Sequence, residues 1–155
     1  MAAAFSVRRA DYLNARDATA VVALLDAYAN DPAGGGEPLS DFVKANLARE
    51  LAARPQAYSV LAFDGVQPVG LVNCIEGFSS FKCKPLVNVH DVAVLASHRG
   101  RGIAERMLAE AERIAVERGA ALRCDCAVGF FGVEMLSRDD ERRAAAEGRE
   151  RTHDG

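Results

Sequence analysis

The 155 residues are 50% hydrophobic and 26% charged with a net charge of −3 at pH 7, enough for one domain with a real core and no global attraction for nucleic acid or an anionic membrane. No apolar run approaches the roughly 18 residues of a membrane span, and Met1 to Phe5 leads into Arg8 and Arg9 rather than into a signal segment. The expectation is a cytoplasmic protein without membrane or nucleic-acid partners. Four cysteines, Cys74, Cys83, Cys124 and Cys126, match neither zinc-site nor Cys-x-x-Cys spacing. They read as reduced structural thiols, with no metal site.

In chain order the pattern is mixed. Phe5 to Arg9 alternates like a short strand, and Asp17 precedes a helical repeat of Val21, Leu24, Leu25 and Tyr28 that ends before Asp31-Pro32. Residues 33–38 form a glycine-rich loop, and Ser40 is placed to cap a second helix bearing Phe42, Val43, Leu47 and Leu51, closed by Pro55. Tyr58 to Phe63 and Val69 to Ile75 are strands joined by a short Asp-Gly turn, which implies an antiparallel hairpin. After a loop from Phe78 to Pro85 comes a strand from Val87 to Leu95. The segment Ser-His-Arg-Gly-Arg-Gly, 97–102, then leads into an amphipathic helix, roughly Gly102 to Arg118, burying Ile103, Met107, Leu108, Ala111, Ile114 and Ala115. Gly119 stops it, and Ala121 to Val128 is the last strand.

A strand-to-helix turn with two glycines is a natural anion site. First-turn N–H groups lack intrahelical partners and meet the positive end of the dipole. Gly100 and Gly102 keep side chains off an approaching phosphate, while Arg99 and Arg101 can add charge at its edge. The turn has no Gly-Lys-Ser/Thr ending and lacks the third glycine of a dinucleotide fingerprint.

In this order of elements, Arg99-Gly-Arg-Gly-Ile-Ala104 resembles the Arg/Gln-x-x-Gly-x-Gly/Ala signature of the GNAT family of N-acetyltransferases. The resemblance spans roughly residues 5–128. It implies an α/β (α+β) fold with a mixed, mainly antiparallel sheet flanked by helices. It also implies an acetyl-CoA site, with the diphosphate on the backbone of Arg99, Gly100, Arg101, Gly102, Ile103 and Ala104. The pantetheine arm would lie beside Val92, Ala93 and Val94, in a gap between this strand and the next, and the Val92 amide would serve the developing oxyanion.

Acetyl transfer to an amine needs a neutral amine in line with the thioester carbonyl, and usually a base. Asp91 and His90 stand just before the pantetheine segment, with Asp91 preferred. Strand alternation puts them on opposite faces unless a bulge intervenes. Glu76, at the end of the neighbouring strand, is a third candidate. The loops at 31–40 and 78–85 can cover an acceptor pocket but name no amine.

After Val128 the chain departs from the family pattern. No tyrosine follows Tyr58 and no asparagine follows Asn88, so the tyrosine that reprotonates the coenzyme A thiolate is missing. Residues 137–155 are charges of both signs with no apolar side chain larger than alanine, which cannot bury the face of a closing hairpin. A solvated helix, a disordered tail and a changed reading frame each fit, and the abruptness favours the last. The organisation expected is an acetyl-CoA-binding domain over residues 1–128 and an atypical tail over 129–155, without the C-terminal hairpin. The function expected is acetyl transfer to a small-molecule or peptide primary amine by direct attack in a ternary complex, with homodimerisation possible. The alternatives are an impaired acyl-CoA-binding or interaction module and a nucleotide-binding module.

Overall fold

The computed structural model describes residues 4–124, excluding the side chain of Cys124. The elements are β1 (Ser6–Arg9), α1 (Ala15–Asn30), α2 (Asp41–Ala52), β2 (Ala57–Asp64), β3 (Gln67–Ser79), β4 (Lys84–Val94), α3 (Ile103–Glu117) and β5 (Ala121–Cys124). They build one sheet in the order β1-β2-β3-β4-β5. The first three pairings are antiparallel and β4–β5 is parallel, with α3 as the crossover a parallel pair requires. This is the mixed, mainly antiparallel α/β fold that the sequence suggests. The readings for residues 125–155, including the hairpin and Cys126, lie outside the described residues.

Strand alternation divides the core between two faces. On one, Val60, Val72, Val87 and Val89 pack with Ile103, Met107, Ala111 and Ile114 of α3. All seven α3 residues buried there are apolar, and burying each larger one stabilises the fold by about 1.5–3 kcal/mol. Gly70 makes this docking possible, because a Cβ there would lie 2.9 Å from the Met107 sulfur. Tyr58 crosses to α3 with its hydroxyl donating to the Ala111 carbonyl at 2.8 Å, and burial pushes its phenol pKa upward. On the other face Leu61, Leu71 and Ala93 pack against Val21 and Leu24 of α1, with Leu47 and Leu51 of α2 partly buried beside them.

Three local expectations need correction. Asp17 lies inside α1 rather than before it, and Asn14 caps the helix, accepting from the amides of Arg16 and Asp17. Asp17 turns inward at 2% exposure, where Arg8 grips it with two nitrogens at 2.6 and 2.8 Å and the Asp11 amide donates at 2.9 Å. Those bonds, Arg8 first, hold its carboxyl below the usual range against the opposing effect of burial. Phe42 stands outside the packed side of α2, 74% exposed. The loop assigned to residues 78–85 is shorter than expected, because β3 and β4 continue pairing to Ser79↔Lys84. Cys83 in the remaining turn is exposed, whereas Cys74 is buried.

Candidate active site

The strand-to-helix turn has the conformation its glycines suggest. Gly100 and Gly102 adopt φ of 76° and 74°, a left-handed backbone that side chains disfavour, and a Cβ at either would meet only open space. Gly102 is the N-cap of α3 and provides no side-chain cap. The first helical bond runs from the Arg106 amide to the Gly102 carbonyl, so the amides of Ile103, Ala104 and Glu105 have no acceptor within the helix. The side chains of Ile103 and Ala104 are buried beneath, which fixes the direction of that turn.

Arg101 is exposed at the turn, but Arg99 is committed elsewhere. Its Nε donates to the Val94 carbonyl and its Nη2 to Asp31, each at 3.0 Å. The same Asp31 carboxylate caps the turn after α1 through the Ala33 amide. That amide first, and Arg99 second, hold its pKa below the usual range. Arg99 thus ties the end of β4 to the loop between α1 and α2.

Strand β4 brings backbone groups toward this turn in a regular way. The Leu95 amide donates to the Val69 carbonyl, and with the register Leu71↔Ala93 and Asn73↔Asp91 the antiparallel ladder assigns the main-chain groups of Asp91 and Ala93 to β3. Those of Val92 and Val94 therefore point away from β3. Among the described residues, β5 flanks this edge only as far as Val89↔Cys124. Of the three residues proposed to line the pantetheine, Val92 and Val94 present backbone there, while Ala93 supplies a buried side chain to the α1 face.

A bulge does intervene at His90. Asn73 pairs with Asp91 and Cys74 with Val89, so His90 has no partner of its own. The extra residue resets the alternation, so that Val92 and Val94 join Val87 and Val89 on the α3 face. His90 is exposed on the bulge and Asp91 half-buried. Asp91 lies on the α1 and α2 face, where its Oδ2 accepts from Asn73 Nδ2 at 3.0 Å. Asn73 Oδ1 in turn accepts from the Ser59 hydroxyl at 2.6 Å, and Ser59 Oγ lies 2.7 Å from the Tyr12 hydroxyl. Glu76 is elsewhere, on the α3 face, with Oε1 3.6 Å from Arg118 Nη1. The structure thus separates the three catalytic candidates, placing Asp91 in a network, His90 on a bulge and Glu76 in an ion pair.

Sequence reasoning missed Ser59, Asn73 and Tyr12. The first two were signalled by being polar in the middle of apolar strand runs, where a buried amide or hydroxyl must find a partner. The link between Asp31 and Arg99, 68 positions apart, carries no such local signal.

Residues 13–131 match the Acetyltransferase (GNAT) family. No curated protein matches the chain. Among solved structures, the ribosomal-protein-alanine N-acetyltransferase of Brucella melitensis biovar Abortus 2308 shares 21% identity, 80% of this chain and 82% of that one, at a TM-score of 0.60. An aminoglycoside acetyltransferase from an uncultured soil metagenomic sample, in complex with sisomicin, shares 16% identity over 93% and 86%, at a TM-score of 0.62. An aminoglycoside 6'-N-acetyltransferase complexed with coenzyme A shares 20% identity over 74% of this chain and 57% of that one, at a TM-score of 0.58.

Proposed function

The chain belongs to the acetyltransferase (GNAT) family, and we propose that it transfers an acetyl group from acetyl-CoA to a primary amine by direct attack in a ternary complex. The observation that carries this reading is the uncapped first turn of α3 behind two left-handed glycines, beside the outward backbone of Val92 and Val94. These residues fit a diphosphate and a pantetheine arm: amides and an exposed cation for the first, and for the second an edge of β4 that β5 flanks only to Val89 among the described residues, with Arg99 Nε on the Val94 carbonyl. Arg99, Gly100, Arg101, Gly102, Ile103 and Ala104 hold the diphosphate, and Val92 and Val94 hold the arm, with Ala93 packed behind them.

Bound acetyl-CoA supplies an acyl group already activated as a thioester: the C–N bond forms as the C–S bond breaks, and coenzyme A leaves as the thiolate and takes a proton from solvent. The chain's task is to orient the amine and accept the proton its nitrogen loses. Asp91 takes that proton in preference to His90 or Glu76. Among the described residues its Oδ1 has no hydrogen-bond partner, while Oδ2 is anchored by Asn73. The Val92 amide, directed away from β3, is the donor for negative charge developing on the acyl oxygen. The structural neighbours named for ribosomal-protein alanine and aminoglycoside acetylation support an amine acceptor.

Calorimetric titration with acetyl-CoA, in parent and Gly102→Glu proteins, tests the donor site. Saturable binding should weaken by about 100-fold or more in the variant, a loss of about 2.7 kcal/mol. An amine panel containing sisomicin and an alanine-terminated peptide then tests transfer by coenzyme A release. Binding without release from any amine would replace the enzyme reading with an acyl-CoA-binding module.

A further inference from the structure

The hydrogen bonds behind Asp91 run in one direction across three adjacent strands. Ser59 on β2, Asn73 on β3 and Asp91 on β4 are successive cross-strand partners in the register. Ser59 is fully buried and Asn73 is 7% exposed, so each polar atom there must be satisfied internally. The Ser59 hydroxyl donates to Asn73 Oδ1, which leaves Ser59 Oγ as the acceptor for the Tyr12 hydroxyl. With Oδ1 so occupied, the Asn73 amide can only present its Nδ2 to Asp91. Burial raises the Tyr12 phenol pKa, keeping it a donor at the start of the chain.

We infer that Asn73, locked by Ser59 and Tyr12, is a positioning residue for the reaction. It fixes the plane of the Asp91 carboxylate and occupies Oδ2, so that Oδ1 alone is offered to the acceptor amine. The bulge at His90 makes the arrangement possible, because without it residue 91 would alternate onto the α3 face. A buried polar line crossing an apolar sheet costs desolvation at every member. Its placement against the half-buried Asp91 carboxylate, next in sequence to Val92 on β4, is what a positioning role requires. The inference rests on the reading of Asp91 as proton acceptor.

The test compares Asp91→Asn, Asn73→Leu and Asn73→Ala with the parent, using acetyl-CoA and the best acceptor of the amine panel. Asn73→Leu keeps the side-chain volume while removing the N–H donor, so it separates loss of the donor from the cavity left by alanine. The expectation is a fall in kcat of about 100-fold for Asp91→Asn and of about 10-fold or more for both Asn73 variants. Acetyl-CoA stoichiometry and KM should be unchanged, because main-chain groups hold the donor and these side-chain substitutions leave them in place. A structural role alone would lower the binding stoichiometry together with turnover and leave kcat per folded molecule unchanged, overturning the inference. Loss of turnover in Asp91→Asn with full kcat in folded Asn73→Leu would overturn it while sparing Asp91 as base. Full turnover in Asp91→Asn, or no turnover by the parent, would overturn both.

Discussion

The two faces of the sheet are held by different chemistry. Helix α3 docks through apolar side chains and one hydrogen bond from Tyr58 to its backbone, and begins at a glycine that leaves its first amides open. Helices α1 and α2 begin at side-chain caps, Asn14 and Ser40, and their face of the sheet carries the Arg8–Asp17 pair and the polar line ending at Asp91. An uncapped helix end is a cost unless something else satisfies it. Under the proposed function, the contrast gives backbone to the acyl donor and side chains to the amine.

The contrast can be broken at each face by removing one anchor. Met107→Ala, at a fully buried position, should cost about 3 kcal/mol in urea unfolding, equally at pH 7 and pH 4, because its core cluster contains no carboxylate or imidazole. Arg8→Ala should cost about 3 kcal/mol at pH 7, since it leaves the Asp17 carboxylate buried without its cation. That second loss should shrink on acidification. Asp17 has a lowered pKa in the folded chain, so its contribution is present above the unfolded carboxylate value and disappears as pH falls through the folded one. A pH-independent Arg8→Ala defect would show that the pair acts through packing rather than charge.

Helix caps give a smaller effect. Ser40→Ala removes the acceptor for the Val43 amide and should cost about 1 kcal/mol of stability with no change in acetyl-CoA binding, in contrast to Gly102→Glu. If calorimetry showed donor binding falling in Ser40→Ala, the two helix ends would not be as separate as their geometry indicates.

How much of this was legible in the sequence depends on the range of the interaction. The element order, the Ser40 cap, the stop at Gly119 and the buried α3 positions other than Ala104 follow from local periodicity and turn chemistry. Gly100 and Gly102 were chosen for the space they leave, and the structure adds that their backbone is left-handed. The start of α1 is not legible from Asp17, which sits in the first turn of the helix and finds its partner in Arg8, nine residues away. The bulge at His90 could be named only as an alternative, since register depends on the partner strand. The line from Tyr12 to Asp91 joins four elements or connections, and only its polar interruptions of β2 and β3 were visible beforehand.

The smallest expected effect probes whether the two faces communicate. Arg99 belongs to the donor turn by sequence, yet its guanidinium is held by Val94 and by Asp31 of the α1–α2 connection. Asp31→Asn retains an acceptor for the Ala33 amide but removes the charge that draws Arg99 away. If Arg99 is thereby released toward the anion site, acetyl-CoA should bind about threefold more tightly at low salt, and the gain should fade as salt screens it. Weaker binding would mean the reverse, that Asp31 holds Arg99 where the donor needs it. The side-chain half of the molecule would then be shaping the backbone half, and the acceptor loop and the donor turn would form one coupled site.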